Sequence, residues 1–392
     1  MPPLSLYIHI PWCIRKCPYC DFNSHAVPTG ETIPEEAYLD ALIRDLESTL
    51  PAVWGRTVRS VFFGGGTPGL LSGPGVARLL AEIGARIPLE PGCEITLETN
   101  PGALEEGRYA AFRDAGVNRL SIGVQSFDDG SLRRLGRVHD GAQAERAIES
   151  ALRSFDNVNL DLMTGLPGQS EAAARQDVAR ALGFGATHLS VYQLTIEANT
   201  VFAKFPPPLP EDDVVERAQE AIDGQLALAG FEQYEVSAYA RPGRRCRHNL
   251  NYWMFGDYLG IGAGAHGKLT LPGGVVVREE RFRAPDSYLR NAAQGRFVSQ
   301  RRTVGPDDLV FEFALNAFRL RDGFAPGLFG ERTGLDAARF EAGLVEAAQR
   351  GLIERRPERI APTRLGMRFL NDLQAIFLTA GDGGASEPPG GS

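Results

Sequence analysis

The sequence predicts an α/β fold: a parallel, TIM-like partial barrel of about six βα units, then a smaller, mainly helical, winged-helix-like C-terminal domain. Three observations predict it. Short, near-continuously apolar runs alternate with amphipathic segments as far as Gly230, and strand–helix alternation builds a parallel sheet. Beyond Gly230 the alternation gives way to a Gly-rich, aromatic stretch and then to helical patterns. A chain of 392 residues also has room for one large domain and a smaller one.

The apolar runs are LSLYIHI (4–10), VRSVFFGG (58–65), CEITLET (93–99), RLSIGV (119–124), NVNLDLM (157–163) and HLSVYQL (188–194). Each is rich in β-branched or aromatic residues and scarcely alternates, as strands buried on both faces do. Helical patterns cover 35–50, 73–87, 104–116, 141–155, 171–185 and 211–230. This gives a barrel over 1–235 and a connecting region over 236–300 that carries HNLNYW and GAGAHG. A helical domain follows over 301–380, with helices at 307–320, 335–351 and 364–378 and a β-like segment at 352–362. It has no strong basic excess and reads as a lid rather than a nucleic-acid module. The Gly/Pro/Ser-rich tail, 381–392, is expected to be disordered.

With 41 basic and 49 acidic residues the net charge is −8, which argues against broad electrostatic binding to nucleic acid or anionic membranes. No apolar run approaches the roughly 18 residues of a membrane span. The first residues, MPPLSLYIHIPWC, lack the basic n-region and long apolar stretch of a secretory signal. A cytoplasmic, reducing location is expected. Five cysteines are an odd, low count that excludes a disulfide scaffold.

Three of the five, Cys13, Cys17 and Cys20, form CxxxCxxC in the loop after the first predicted strand. Thiolates so spaced converge on one metal or cluster. Four irons held by three cysteines leave one iron open to a chelating small molecule. Zinc is the competing reading, with His9, His25 or Cys246 completing four ligands. Unrelated buried thiols are disfavoured by clustering among Pro11, Pro18 and Asn23. The spacing favours the cluster.

Ligand-binding residues of a parallel barrel sit at the C-terminal ends of its strands. Here the second predicted strand ends in Gly64-Gly65-Gly66-Thr67, the third at Glu98, the fourth at Gln125 and the fifth at Asp161. The sixth runs into Gln193 and Thr195, and Arg137 follows the fourth. Consecutive glycines let backbone approach a ligand, amides toward a carboxylate and carbonyls toward an ammonium. Any one of these residues would pass as a cap or loop hydrogen bond. Their coincidence at five strand ends points to a ligand.

The stretch YIHIPWCIRKCPYCDFNSH (7–25) resembles the radical S-adenosylmethionine (SAM) superfamily, in the branch of the oxygen-independent coproporphyrinogen III oxidases and their relatives. The resemblance covers residues 1 to about 270. It implies that Cys13, Cys17 and Cys20 hold a [4Fe–4S] cluster whose fourth iron is chelated by SAM. It sets Tyr19 beside the adenine and Gly65, Gly66 and Thr67 at the amino group. Tyr7, expected at the end of the first strand, joins Glu98, Gln125, Arg137 and Asp161 as further SAM contacts, Asp161 toward the ribose hydroxyls. Cys93 and Cys246 are left without a role.

Within that family the oxidases carry a fourth cysteine two residues after the third. Phe22 stands there in this sequence, as in the family's haem-chaperone branch. His248-Asn249-Leu250-Asn251-Tyr252-Trp253 matches an HNxxYW motif tied to haem in that branch. By residue chemistry alone, imidazole ligates iron, Tyr and Trp stack on a macrocycle, and Arg241, Arg244, Arg245 and Arg247 pair with propionates. A solvated loop with His248 capping a turn fits equally. The resemblance favours haem contact at His248, while His266 stays open between turn residue and ligand. It implies a haem chaperone, without dehydrogenase turnover, that binds cluster, SAM and haem. The haem passes to an acceptor such as a respiratory haem enzyme, with transient docking to a membrane protein. Two other readings stand beside it: an oxygen-independent coproporphyrinogen III oxidase yielding protoporphyrinogen IX, and a zinc-stabilised binding module.

Overall fold

Each of the six apolar runs is a strand in the computed structural model, which describes residues 1–28 and 30–378. They are β1 (Leu4–Ile10), β2 (Val58–Gly65), β3 (Leu89–Thr99), β4 (Arg119–Gln125), β5 (Val158–Thr164) and β6 (His188–Gln193). All five neighbouring pairs are parallel. Leu6, Ile8, Val61, Leu97, Leu120 and Leu160 are fully buried, because helices cover one face of the sheet and side chains fill the other. The expected tail, 381–392, lies outside the described residues.

The helices follow their predicted patterns. In α1 (Glu35–Thr49) the buried Tyr38, Leu39, Leu42 and Leu46 recur at helical spacing. Next come α2 (Gly73–Arg86), α3 (Gly141–Ser154), α4 (Glu171–Gly183) and α5 (Asp212–Leu228). Ser72 and Ser170 cap α2 and α4, and Asp140 forms a reciprocal box with Gln143 on α3. Each such cap contributes about 1 kcal/mol. The helix expected over 104–116 is instead two short ones, Ala103–Glu106 and Tyr109–Asp114. Arg108, at the break, turns its guanidinium onto the carbonyls of Leu70 and Leu71 at 2.6 and 2.9 Å.

The region expected to be a connector extends the sheet. After β7 (Glu232–Gln233), which closes the expected barrel segment, come β8 (Ala238–Ala240), β9 (Asp257–Ile261), β10 (His266–Thr270), β11 (Val276–Arg281) and β12 (Val298–Thr303), the last running past residue 300. The twelve strands run β12-β11-β10-β9-β1-β2-β3-β4-β5-β6-β8-β7. β9 pairs parallel with β1, from Leu4 opposite Asp257 to Ile8 opposite Ile261. Seven consecutive strands are therefore parallel, flanked by antiparallel β8 on one side and β10–β12 on the other.

The C-terminal part has its own core, in which Phe313, Phe318, Phe324, Phe329, Phe340 and Phe377 interlock. Phe255 and Val276 join it from the sheet region. Helices Pro306–Ala317, Leu328–Thr333 and Ala338–Gln349 precede a hairpin of β13 (Ile353–Arg356) and β14 (Arg359–Pro362). The last predicted helix breaks at Phe369 into Arg364–Arg368 and Leu370–Ala375. No helix among the described residues is long and apolar enough to cross a membrane.

Candidate functional site

The cysteine loop leaves β1 and is tied down from several sides. Asn23 Nδ2 donates to the carbonyls of Ala263 and Arg283, each at 2.9 Å. The Phe202 amide donates to Pro18 O at 3.0 Å, and Gly136, at φ +69, leaves room for Pro18 where a Cβ would clash. Cys13, Cys17 and Cys20 are free thiols, partly exposed. Each faces one polar group: Thr67 Oγ1 lies 3.5 Å from Cys13 Sγ, Arg137 Nη1 3.7 Å from Cys17 Sγ, and Ser24 Oγ 3.7 Å from Cys20 Sγ. Two of these groups are linked. Asn100 donates to Thr67 Oγ1 at 2.9 Å and accepts from Arg137 Nη2 at 2.5 Å. Arg137 also donates to Gly123 O at 2.8 Å, and its buried Nε has no partner among the described residues.

The glycine run serves this loop directly. The amides of Gly66 and Thr67 donate to Ile10 O and Trp12 O, both at 2.7 Å. Gly65 sits at φ +110, and a Cβ there would lie 2.5 Å from the His9 ring. Only glycine permits both the backbone angle and that approach. Two of the run's amides are thus committed to the protein rather than left for a ligand.

Tyr7 stands fourth of seven residues in β1, not at its end as expected. Its hydroxyl bonds His9 Nδ1 at 2.8 Å, while His9 Nε2 meets Asn23 O at 2.9 Å. A carbonyl only accepts, so Nε2 carries the proton and Tyr7 donates to Nδ1. Burial lowers the His9 pKa to about 4 and keeps the ring neutral.

Deeper in the barrel, burial raises Glu98, near the end of β3, to about 8, with the Asp161 carboxylate adding to the rise. Asp161, expected at a strand end, lies mid-strand because β5 continues through Leu162–Thr164. It accepts from Ser121 Oγ at 3.0 Å and Asn159 Nδ2 at 2.7 Å. Gln125 does close its strand, at φ +67, a strained angle for a non-glycine residue. It accepts from Tyr192 OH at 2.7 Å. Tyr19 packs against Phe202 and lies close enough to Arg137 to be coupled to its charge.

Beside these groups opens a cavity of about 550 Å³, whose walls include Tyr7, Phe62, Glu98, Tyr252, Trp253 and Tyr258, with Phe22 among its lining residues. The structure brings Tyr252 and Trp253 of the HNLNYW element here but not its histidine. His248, on the helix α6 (Arg247–Trp253), is buried behind Phe62, with the rings stacked 4.1 Å apart. Its Nδ1 is 2.9 Å from Glu94 Oε1 and its Nε2 is 3.3 Å from Cys246 Sγ. His248, where haem contact is expected, does not line the cavity: its ring is enclosed, Nδ1 faces Glu94, and Cys246 Sγ lies 3.1 and 3.3 Å from its two nitrogens. The neighbouring arginines do not line the cavity either. Arg245 pairs with Glu232 and Asp322, Arg247 bonds Gly92 O, and Arg241 lies over Phe231. Cys246, drawn into this buried group, is no fourth ligand for the loop cysteines, and His9 has no free nitrogen to offer.

A profile of the radical SAM superfamily matches residues 7–181, and one for the HemN C-terminal domain matches residues 304–369. The chain is 48% identical over 382 residues to "Heme chaperone HemW" of Escherichia coli (strain K12), covering 96% of this chain and 99% of that one. The chain belongs to the HemW family. Identity to the HemW of Haemophilus influenzae is 46% over 387 residues, covering 97% and 99% of the two chains. In structure this HemW-family chain is similar to coproporphyrinogen III oxidase (HemN) from Escherichia coli. The TM-score is 0.80 over 96% of this chain and 90% of that one, and at 22% identity the likeness is one of fold.

Sequence reasoning missed Asn100 as the link between Thr67 and Arg137, although it follows Glu98 closely in ETNPG. It also missed Lys268 and Arg278 on the cavity wall. Their only signal was a basic residue at alternate positions of two apolar β-like runs.

Proposed function

We propose that this HemW-family chain is a cytoplasmic haem chaperone built on a radical SAM scaffold, which passes haem to an acceptor such as a respiratory haem enzyme. The observation that carries the reading is near-half identity over almost the full length to proteins named haem chaperones. Cys13, Cys17 and Cys20 would hold a [4Fe–4S] cluster, and the donor set fits one: three thiols on one loop, each facing a polar group, beside a buried arginine with an unpartnered N–H. When bound, such a cluster supplies an iron with an open coordination position and a one-electron couple. Thr67 and Arg137 offset the negative charge of the Cys13 and Cys17 thiolates. Tyr7, Tyr19, Gly65, Gly66, Thr67, Glu98, Gln125, Arg137 and Asp161 form the SAM pocket, in which Glu98 holds or yields a proton as the ligand arrives. The division of labour is a SAM barrel over 1–235, a cavity-lining region over 236–300 and a helical lid over 301–380.

The test is anaerobic reconstitution of the cluster followed by haemin titration. Stoichiometric binding with a shifted Soret band is expected. Absence of that shift, or catalytic decarboxylation of coproporphyrinogen III with SAM and reductant, overturns the reading in favour of an oxidase.

A further inference from the structure

We propose, resting on the haem-chaperone reading, that Asn159, His188 and Tyr234 are positioning residues that tie the SAM pocket to the HNLNYW helix. A ligand at either end then steadies the other end. The tie starts at Asp161, whose Oδ1 accepts from Asn159 Nδ2 at 2.7 Å. Asn159 Oδ1 lies 2.6 Å from His188 Nδ1, and His188 Nε2 lies 2.9 Å from Tyr234 OH. The Tyr234 oxygen accepts from the backbone amide of Cys246, at 3.4 Å the longest link, immediately before α6. Asn159 stands on β5 and His188 opens β6, while Tyr234 lies between β7 and β8. These three and Cys246 are buried.

The hydrogens of this chain point one way. The Asn159 oxygen only accepts, so His188 carries its proton on Nδ1 and its bare Nε2 accepts from Tyr234. Burial holds the His188 ring well below its usual pKa, and so neutral, as that tautomer requires. The Tyr234 oxygen, its own proton given to His188, is left to accept the Cys246 N–H. Turning the imidazole therefore breaks the bonds on both sides of it. Stability does not call for such a chain, since burying polar groups costs free energy that apolar residues of like shape avoid. The helix start is held at a second point, where Glu94 accepts from the amides of Arg247 and His248 at 2.9 and 3.2 Å. Arg119, with a buried Nε unpartnered among the described residues, is attracted by Glu94 and Asp161 alike.

The experiment is hydrogen–deuterium exchange of the α6 amides in the full, cluster-reconstituted, haem-free chain, with and without saturating SAM. In wild type, SAM is expected to slow their exchange by at least about fivefold, the lower end of ordinary coupling between two sites. Tyr234→Phe and His188→Leu should lose that protection, while SAM still protects the cysteine loop and so shows that both variants fold and bind it. His188→Gln, whose amide offers the same acceptor and donor pair, should keep the protection, which a merely space-filling role would not require. By reciprocity, haemin titration should show tighter haem binding with SAM in wild type and none of that gain in Tyr234→Phe. Equal protection of α6 in wild type and Tyr234→Phe, or none in wild type, would refute the tie and leave the chaperone reading intact. Protection of α6 that depends on Tyr234, in a chain that binds no haem, would remove the chaperone reading and leave the tie standing.

Discussion

Glu98→Gln asks whether the carboxyl near the end of β3 exchanges its proton for a cationic ligand. Burial, reinforced by Asp161, lifts this carboxyl from an ordinary 4.5 to about 8. At pH 7 roughly one molecule in ten therefore carries the carboxylate before ligand arrives. A SAM molecule presenting its sulfonium charge pairs with the ionised form alone. Binding then releases a proton, and affinity rises about tenfold per pH unit until the pH passes 8, where it levels off. The assay is anaerobic calorimetry from about pH 6 to about pH 8.5 in buffers of unlike ionisation enthalpy. In Glu98→Gln the slope and the proton release should each fall by about the one proton that Glu98 supplies, with affinity below wild type throughout. In Asp161→Asn the break should shift to lower pH, because the second cause of the rise is gone. A wild-type affinity that is flat across that interval, with no proton release, would refute the reasoning.

Three further outcomes are expected. Asp45→Ala should destabilise the fold by about 3–5 kcal/mol, read from denaturant midpoints, because it strips Arg281 of a partner in a fully buried site. Asp45 accepts from Arg281 Nε at 3.0 Å, the Gly262 amide at 3.0 Å and Tyr288 OH at 2.9 Å; a loss under about 1 kcal/mol would mean the network relaxes freely. Asn100→Leu should speed chelator-driven bleaching of the reconstituted cluster by about tenfold or more, since it severs Thr67 from Arg137 without touching a thiol. Lys268, buried against Asp257 at 3.1 Å, falls from 10.5 to about 8, chiefly through burial. The unfolded chain then binds the extra proton between those values, so wild type should gain on Lys268→Met by up to about 3 kcal/mol as pH rises from 8 to 10.5. Parallel stability curves for the two proteins would contradict it.

The barrel was legible because its strands are buried on both faces, and LSLYIHI or RLSIGV has no other economical reading. The cysteine loop was legible from spacing alone. What stayed hidden shares one physical cause, dependence on partners distant in sequence. DYLGI is five residues in a Gly-rich stretch, and only the vacant edge of β1, some 250 residues earlier, makes it a parallel strand. HNLNYW looked like a ligand-bearing loop, yet Glu94, on a strand 154 residues away, draws the histidine inward and leaves Tyr252 and Trp253 to face the cavity. A glycine run signals close backbone approach. Whether it approaches a ligand or, as at Gly66 and Thr67, another stretch of chain is settled by tertiary contacts.

The parallel pairing of β9 with β1 also sets an order of assembly during synthesis. β1 leaves the ribosome some 250 residues before Asp257–Ile261, and until that segment follows one of its two edges has no neighbour. Asn23, which anchors the cysteine loop, must likewise wait for Ala263 and Arg283. Over that interval the nascent chain carries an open, apolar strand edge, the kind of edge that invites wrong pairing. The thiol loop is complete only when Ala263 and Arg283, 240 and 260 residues beyond Asn23, have emerged. A product truncated before Ala263 would offer its cysteines without the frame that orders them.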